Sequence, residues 1–128
     1  EALFSELQDR ERADEQRREL YFAIAGFWQL VDMQAFLDNL AKAANPFIRA
    51  KRRFNAMGNL AEFVPQDRAT ADAIRDSLLL GNRNGLAKFA VVSPPPLVKL
   101  QYKRIGAGLD VEFFDDEASA LCWLRGEA

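Results

Sequence analysis

Apolar positions along the chain switch repeatedly between a period of two and a helical period. In Leu20–Phe27 (LYFAIAGF), Leu20, Phe22 and Ile24 alternate with Tyr21, Ala23 and Ala25. Both faces are apolar, which predicts a strand covered on both sides. Gly26 marks its end. Leu30, Met33, Phe36, Leu37 and Leu40 then fall at helical spacing, with Asp32 in the first turn. This helix is expected to stop before Pro46, because a proline disfavours helical dihedrals in the residue before it, Asn45. Phe47–Arg53 leads into a strand around Phe54–Gly58, and Leu60–Asp67 reads as a loop or ragged strand end closed by Pro65. Asp67 caps a second helix with Ala69, Ala73, Ile74, Leu78 and Leu79 inward, running to Leu80. Gly81–Gly85 is a stop and turn.

Leu86–Ser93 (LAKFAVVS) is the clearest strand. It is apolar on both faces apart from Lys88, and Pro94, Pro95 and Pro96 end it. Proline suits the first turn of the next helix, Pro96–Ile105, with Leu97, Leu100, Tyr102 and Ile105 inward and Gly106-Ala107-Gly108 as the stop. Val111–Phe114 is the last strand. Asp115 or Asp116 caps the last helix, where Glu117 sits in the first turn, Ala118, Leu121, Cys122 and Leu124 point inward, and Trp123 flanks them.

Four strand–helix alternations predict an α/β fold. It has a single mixed, mostly parallel sheet of four to five strands, about four helices and right-handed crossovers, with Leu86–Ser93 inside the sheet. Residues 1–19 hold seven acids and four arginines and form a charged extension to a domain spanning 20–128. That extension reads first as a polar helix, Ala2–Arg18, and alternatively as a short edge strand at Leu3–Leu7.

Composition narrows the function classes. The 128 residues suit one domain. A net charge of -2 offers no concentrated basic surface for nucleic acid. No apolar run approaches the roughly 20 residues of a membrane span, and the charged first residues make a signal peptide unexpected. One cysteine forbids an internal disulfide and fits a reducing compartment, so a cytoplasmic location is expected. With no histidine in the chain, the usual general base, zinc ligand and Ser-His or Cys-His pairs are excluded.

Three stretches together carry a family resemblance: ELYFAIAGFWQLVDMQAFLDNL, LAKFAVVS followed by a short helix, and the ending VEFFDDEASALCWL. They resemble the STAS-like superfamily, the fold of bacterial anti-sigma-factor antagonists, in its branch outside the sporulation machinery. Gly26 after the strand and Asp32 in the helix match that pattern, and the likeness covers about Leu20–Arg125. It implies a mixed sheet with helices on it and a protein partner. In the antagonists, a Ser or Thr at the start of the helix after the third strand is phosphorylated to block docking. The corresponding stretch, Phe63–Thr70, lacks the family's Asp-Ser-Ser-Gly type of motif, and Thr70 is its one hydroxyl. Thr70 is therefore the candidate phospho-acceptor.

The remaining clusters have plain readings. Asp115, Asp116 and Glu117 suit helix capping better than a metal site, which needs more oxygen ligands. Asp67, Asp72 and Asp76 with Arg68 and Arg75 suit a salt-bridged helix face. Arg49, Lys51, Arg52 and Arg53, and likewise Lys99, Lys103 and Arg104, suit solvated basic faces. In open α/β sheets ligands bind at the carboxyl ends of the strands. The rim expected there carries Phe27, Trp28, Asn59 and Ser93. An apolar-aromatic rim without an acid–base pair suits a partner protein or a small apolar ligand better than catalysis, and the resemblance implies a non-enzymatic interaction module in bacterial signalling or regulation, without metal or cofactor, that docks a partner protein. The alternative is a carrier of a small apolar ligand or lipid at the same rim. A homodimer is also compatible with such a surface.

Overall fold

The computed structural model describes residues 10–126. It shows one mixed sheet of five strands in the order β1-β2-β3-β4-β5. The elements are β1 (Arg10–Asp14), β2 (Glu19–Gly26), α1 (Leu30–Arg49), β3 (Phe54–Phe63), α2 (Arg68–Arg83), β4 (Leu86–Val92), α3 (Pro96–Ile105), β5 (Val111–Phe114) and α4 (Glu117–Arg125). β1 pairs antiparallel with β2, and β2 through β5 are mutually parallel. The expected α/β class, with one mostly parallel sheet and four helices, is what the chain forms.

Three parallel crossovers that step in one direction across a sheet, each right-handed, place their helices on one face. The packing agrees. Leu20, Phe22, Ile24, Ala56, Leu60, Phe89 and Val91 form one core with Met33 and Phe36 of α1, Ile74 and Leu78 of α2, and Val98 and Tyr102 of α3. Tyr21, Ala23, Met57, Ala90 and Val92 face the other way and pack on Ala120 and Leu124 of α4. The doubly apolar pattern of β2 and β4 therefore has two different coverings. As expected, β4 lies inside the sheet, between β3 and β5.

Several boundaries differ from the sequence reading. Residues 10–18 are not helical: Arg10–Asp14 is an edge strand, and Asp14 Oδ1 accepts the amides of Gln16 and Arg17 at 3.1 Å to close its turn. The sheet thus begins before residue 20, while Leu3–Leu7 lies outside the described residues. α1 continues through Pro46. The proline forfeits one intrahelical bond, but the extra turn buries Phe47 and stacks it on Phe54 with ring centroids 5.4 Å apart. β3 extends to Phe63 because one additional residue bulges between the pairings Ala23↔Asn59 and Ala25↔Glu62. Leu60 and Phe63 are consequently both buried on the α1–α3 side.

Helix faces also shifted. α3 buries Val98, Tyr102 and Ile105, whereas Leu97 and Leu100 are 66% and 54% exposed. α2 runs on through Gly81 to Arg83, burying Thr70, Ile74 and Leu78 and leaving Ala69 exposed. α4 buries Ala120 and Leu124, with Leu121 and Cys122 half-buried and Ala118 exposed. Asp67 and Asp116 cap α2 and α4 by accepting the amides of Thr70 at 2.9 Å and Ser119 at 2.7 Å. Each amide holds its carboxylate below the ordinary range. These caps stabilise the fold above the carboxylates' ordinary range and lose their contribution as pH falls through the lowered values.

Candidate functional site

The carboxyl ends of β2, β3 and β4 meet the starts of α1, α2 and α3, and buried Gln66 ties these segments together. Its side-chain Oε1 accepts the Trp28 amide at 2.9 Å, and Nε2 donates to the Gly26 and Val64 carbonyls. Its backbone is paired with Gln101 of α3: the Gln66 amide donates to Gln101 Oε1 at 2.8 Å, and Gln101 Nε2 donates back to the Gln66 carbonyl at 2.9 Å. Trp28 packs on Phe36 at 5.4 Å between ring centroids and donates its indole N–H to the Ala25 carbonyl. Gln66→Ala is expected to loosen this knot, with the Trp28 amide losing roughly tenfold of its protection in hydrogen exchange. Unchanged protection at Trp28 would show that the rim holds without Gln66.

The four rim residues named from sequence do not form one surface. Phe27 is 55% exposed and Trp28 is half-buried beside it. Asn59 lies two residues beyond Met57 on the α4 side of the sheet, and its Oδ1 accepts the Ala61 amide. Ser93 joins β4 to β5: its amide donates to the Phe114 carbonyl at 2.7 Å and its hydroxyl to the Asp115 carbonyl at 2.8 Å. Both are occupied in holding the backbone. Other exposed apolar side chains lie on the segments that Gln66 and Gln101 join. Val31 is 70% exposed and Val64 40%, and Leu97 and Leu100 emerge from α3. The signal that could have found them was the second apolar stripe of α3, Val98-Tyr102-Ile105, which leaves Leu97 and Leu100 outside.

Thr70 is fully buried in the first turn of α2, and its hydroxyl has no well-oriented partner. A kinase reaches that hydroxyl only if the turn opens. Lys99, Lys103 and Arg104 are exposed on α3 as expected, and none of them makes an ion pair among the described residues. Arg75 plays a role other than a helix-face salt bridge: its guanidinium donates to the Ile105 and Ala107 carbonyls at 2.7 and 3.1 Å, closing the end of α3.

Two further features were not legible in sequence. Glu19, 2% exposed, receives Arg125 through two bonds, Nε at 2.9 Å and Nη2 at 2.8 Å, and the Tyr21 hydroxyl at 2.5 Å. Burial raises the Glu19 pKa, but the hydrogen bonds from Arg125 and Tyr21 and the attraction of Arg125 and Arg17 outweigh it and hold the carboxyl below its ordinary value. Burial and the neighbouring carboxylate push the Tyr21 hydroxyl up. With both carboxylate oxygens hydrogen-bonded and Arg125 reaching down from the end of α4, this triad is a structural clasp. The second feature is a cavity of about 130 Å³ between α1 and α2.

Among the described residues no three Cys, Asp or Glu side chains gather as metal ligands, and no helix is long and apolar enough to cross a membrane. No protein-family model matches the chain, and no curated protein matches it significantly.

Proposed function

We propose that the chain is a non-enzymatic, STAS-like interaction module of a bacterial signalling or regulatory system that docks an apolar segment of a partner protein. Five large exposed apolar side chains carry this reading: Phe27, Val31, Val64, Leu97 and Leu100, on segments that the Gln66 and Gln101 hydrogen bonds join. Large apolar side chains left exposed on joined segments point to an interaction site rather than to ordinary solvent-facing chain. The Gln66–Gln101 pairing holds the rim's segments in register before a partner arrives, which lowers the ordering cost of binding. Lys99, Lys103 and Arg104 flank Leu100 without acidic partners of their own among the described residues, so a docking segment with acidic flanks fits best. The five-stranded mixed sheet agrees with the fold that the family resemblance implies. Phosphorylation of buried Thr70 is not needed for docking at this rim.

A photo-crosslinking residue placed at Leu97 in the source cells is expected to capture one partner. The cross-link should disappear in Leu100→Asp and weaken with salt, and a crosslinker at Leu80 should not form it. Equal capture by both positions would sink the proposal. Cross-linking of the chain to itself, with a dimer in sedimentation lost in Leu100→Asp, would assign the rim to a second copy.

A further inference from the structure

The cavity between α1 and α2 lies over β2, β3 and β4, away from the rim. Its walls include Phe22, Phe36, Leu40, Leu78, Phe89 and Tyr102. Exposed Ala41, Leu80 and Asn84 also border it, so it reaches the surface between the carboxyl-terminal halves of α1 and α2. Core packing normally leaves few voids larger than a water molecule. A space of about 130 Å³ approaches the roughly 150 Å³ of an apolar cavity that admits benzene.

Tyr102 is the second observation. It is 2% exposed, edge-on to both Phe63 and Phe89 at 6.4 Å. Its hydroxyl makes no hydrogen bond among the described residues, and burial alone raises its pKa, so it stays neutral. Unlike the Thr70 hydroxyl, the Tyr102 oxygen is not sealed away, and Tyr102 borders the cavity, so its hydroxyl is free to pair with a group that enters there. Among the described residues no charged side chain lines the cavity.

We infer that this cavity binds an uncharged, mainly apolar molecule of about one aromatic ring, whose single hydroxyl or carbonyl pairs with the Tyr102 hydroxyl. A charged ligand would be left uncompensated there. The site is independent of partner docking at the rim.

Two nearly isosteric probes, p-cresol and p-xylene, test it by calorimetry and methyl NMR on the intact chain. Both are expected to bind the wild type and to shift the Leu40, Ile74 and Leu78 methyl resonances. Tyr102→Phe, which removes only the oxygen, should weaken p-cresol about five- to tenfold while p-xylene binds as before. The inference is overturned if neither probe binds the folded wild type, if the shifts cluster at the exposed Val31 and Leu97 methyls instead, or if Tyr102→Phe leaves p-cresol affinity unchanged.

Discussion

Arg125→Met is expected to destabilise the protein by about 3 kcal/mol at neutral pH, as when one member of a buried ion pair is removed. The cost arises at Glu19, which is 2% exposed and loses both guanidinium bonds. The estimate sits at the low end because the Arg125 side chain is 23% exposed and the Tyr21 bond to Glu19 survives. The pH dependence gives the sharper test. In the wild type the folded pKa of Glu19 lies below its ordinary value of 4.5, so its contribution is present above that value and is lost as pH falls through the folded one. In Arg125→Met burial is no longer outweighed and the folded pKa rises. The same carboxylate then destabilises as pH rises above 4.5. The difference between the two proteins should therefore be largest near neutrality and shrink below about pH 4. Denaturant unfolding at pH 7 and pH 3.5 measures it, and a difference independent of pH would show that Glu19 is not the cause. Adding Glu19→Gln should recover part of the loss, because a neutral amide is cheaper to bury than an unpaired carboxylate.

Gly58→Ala is the second large effect, expected to cost about 1–3 kcal/mol by overpacking. Gly58 sits opposite Phe22 in the β2–β3 pairing. A Cβ there would meet the far end of the Phe22 ring, Cζ first, with Cε2 and Cε1 at only 2.7 and 2.8 Å. That ring is also held by Phe36 and Phe89, at 5.7 and 5.8 Å between centroids. Phe22 lines the cavity under α1 and α2, so a displaced ring moves into that space. Gly58→Ala should thus lower stability and weaken p-xylene binding together. Shortening the ring in Gly58→Ala/Phe22→Leu should make the double variant more stable than the sum of the single losses. Strict additivity would mean that the two sites do not collide.

Much of the fold was legible because burial imposes a period. β2 and β4 follow directly from doubly apolar runs, and the start of α3 from Pro94–Pro96. Misreadings fell where two local signals competed and packing chose between them. Pro46 argues for a stop, yet burial of Phe47 against Phe54 outweighs one missing hydrogen bond. The bulge in β3 breaks the alternation at Leu60 and makes a strand resemble a loop. α3 carries two apolar stripes, and only docking on the sheet reveals that Val98 belongs to the inner one.

The candidate sites were less legible. Phe27 and Trp28 follow the end of β2, Asn59 and Ser93 serve backbone hydrogen bonds, and Leu97 and Leu100, read as inward from the sequence, are exposed. The sequence by itself determined the α/β class, the order of elements from β2 onward and the absence of histidine chemistry, since these depend on residue type and local spacing. Only the tertiary structure decided which faces stay exposed, that Glu19 meets Arg125, and that a cavity opens beside an unpartnered Tyr102. Each of these depends on distances between segments far apart in the chain, and no local pattern encodes such a distance.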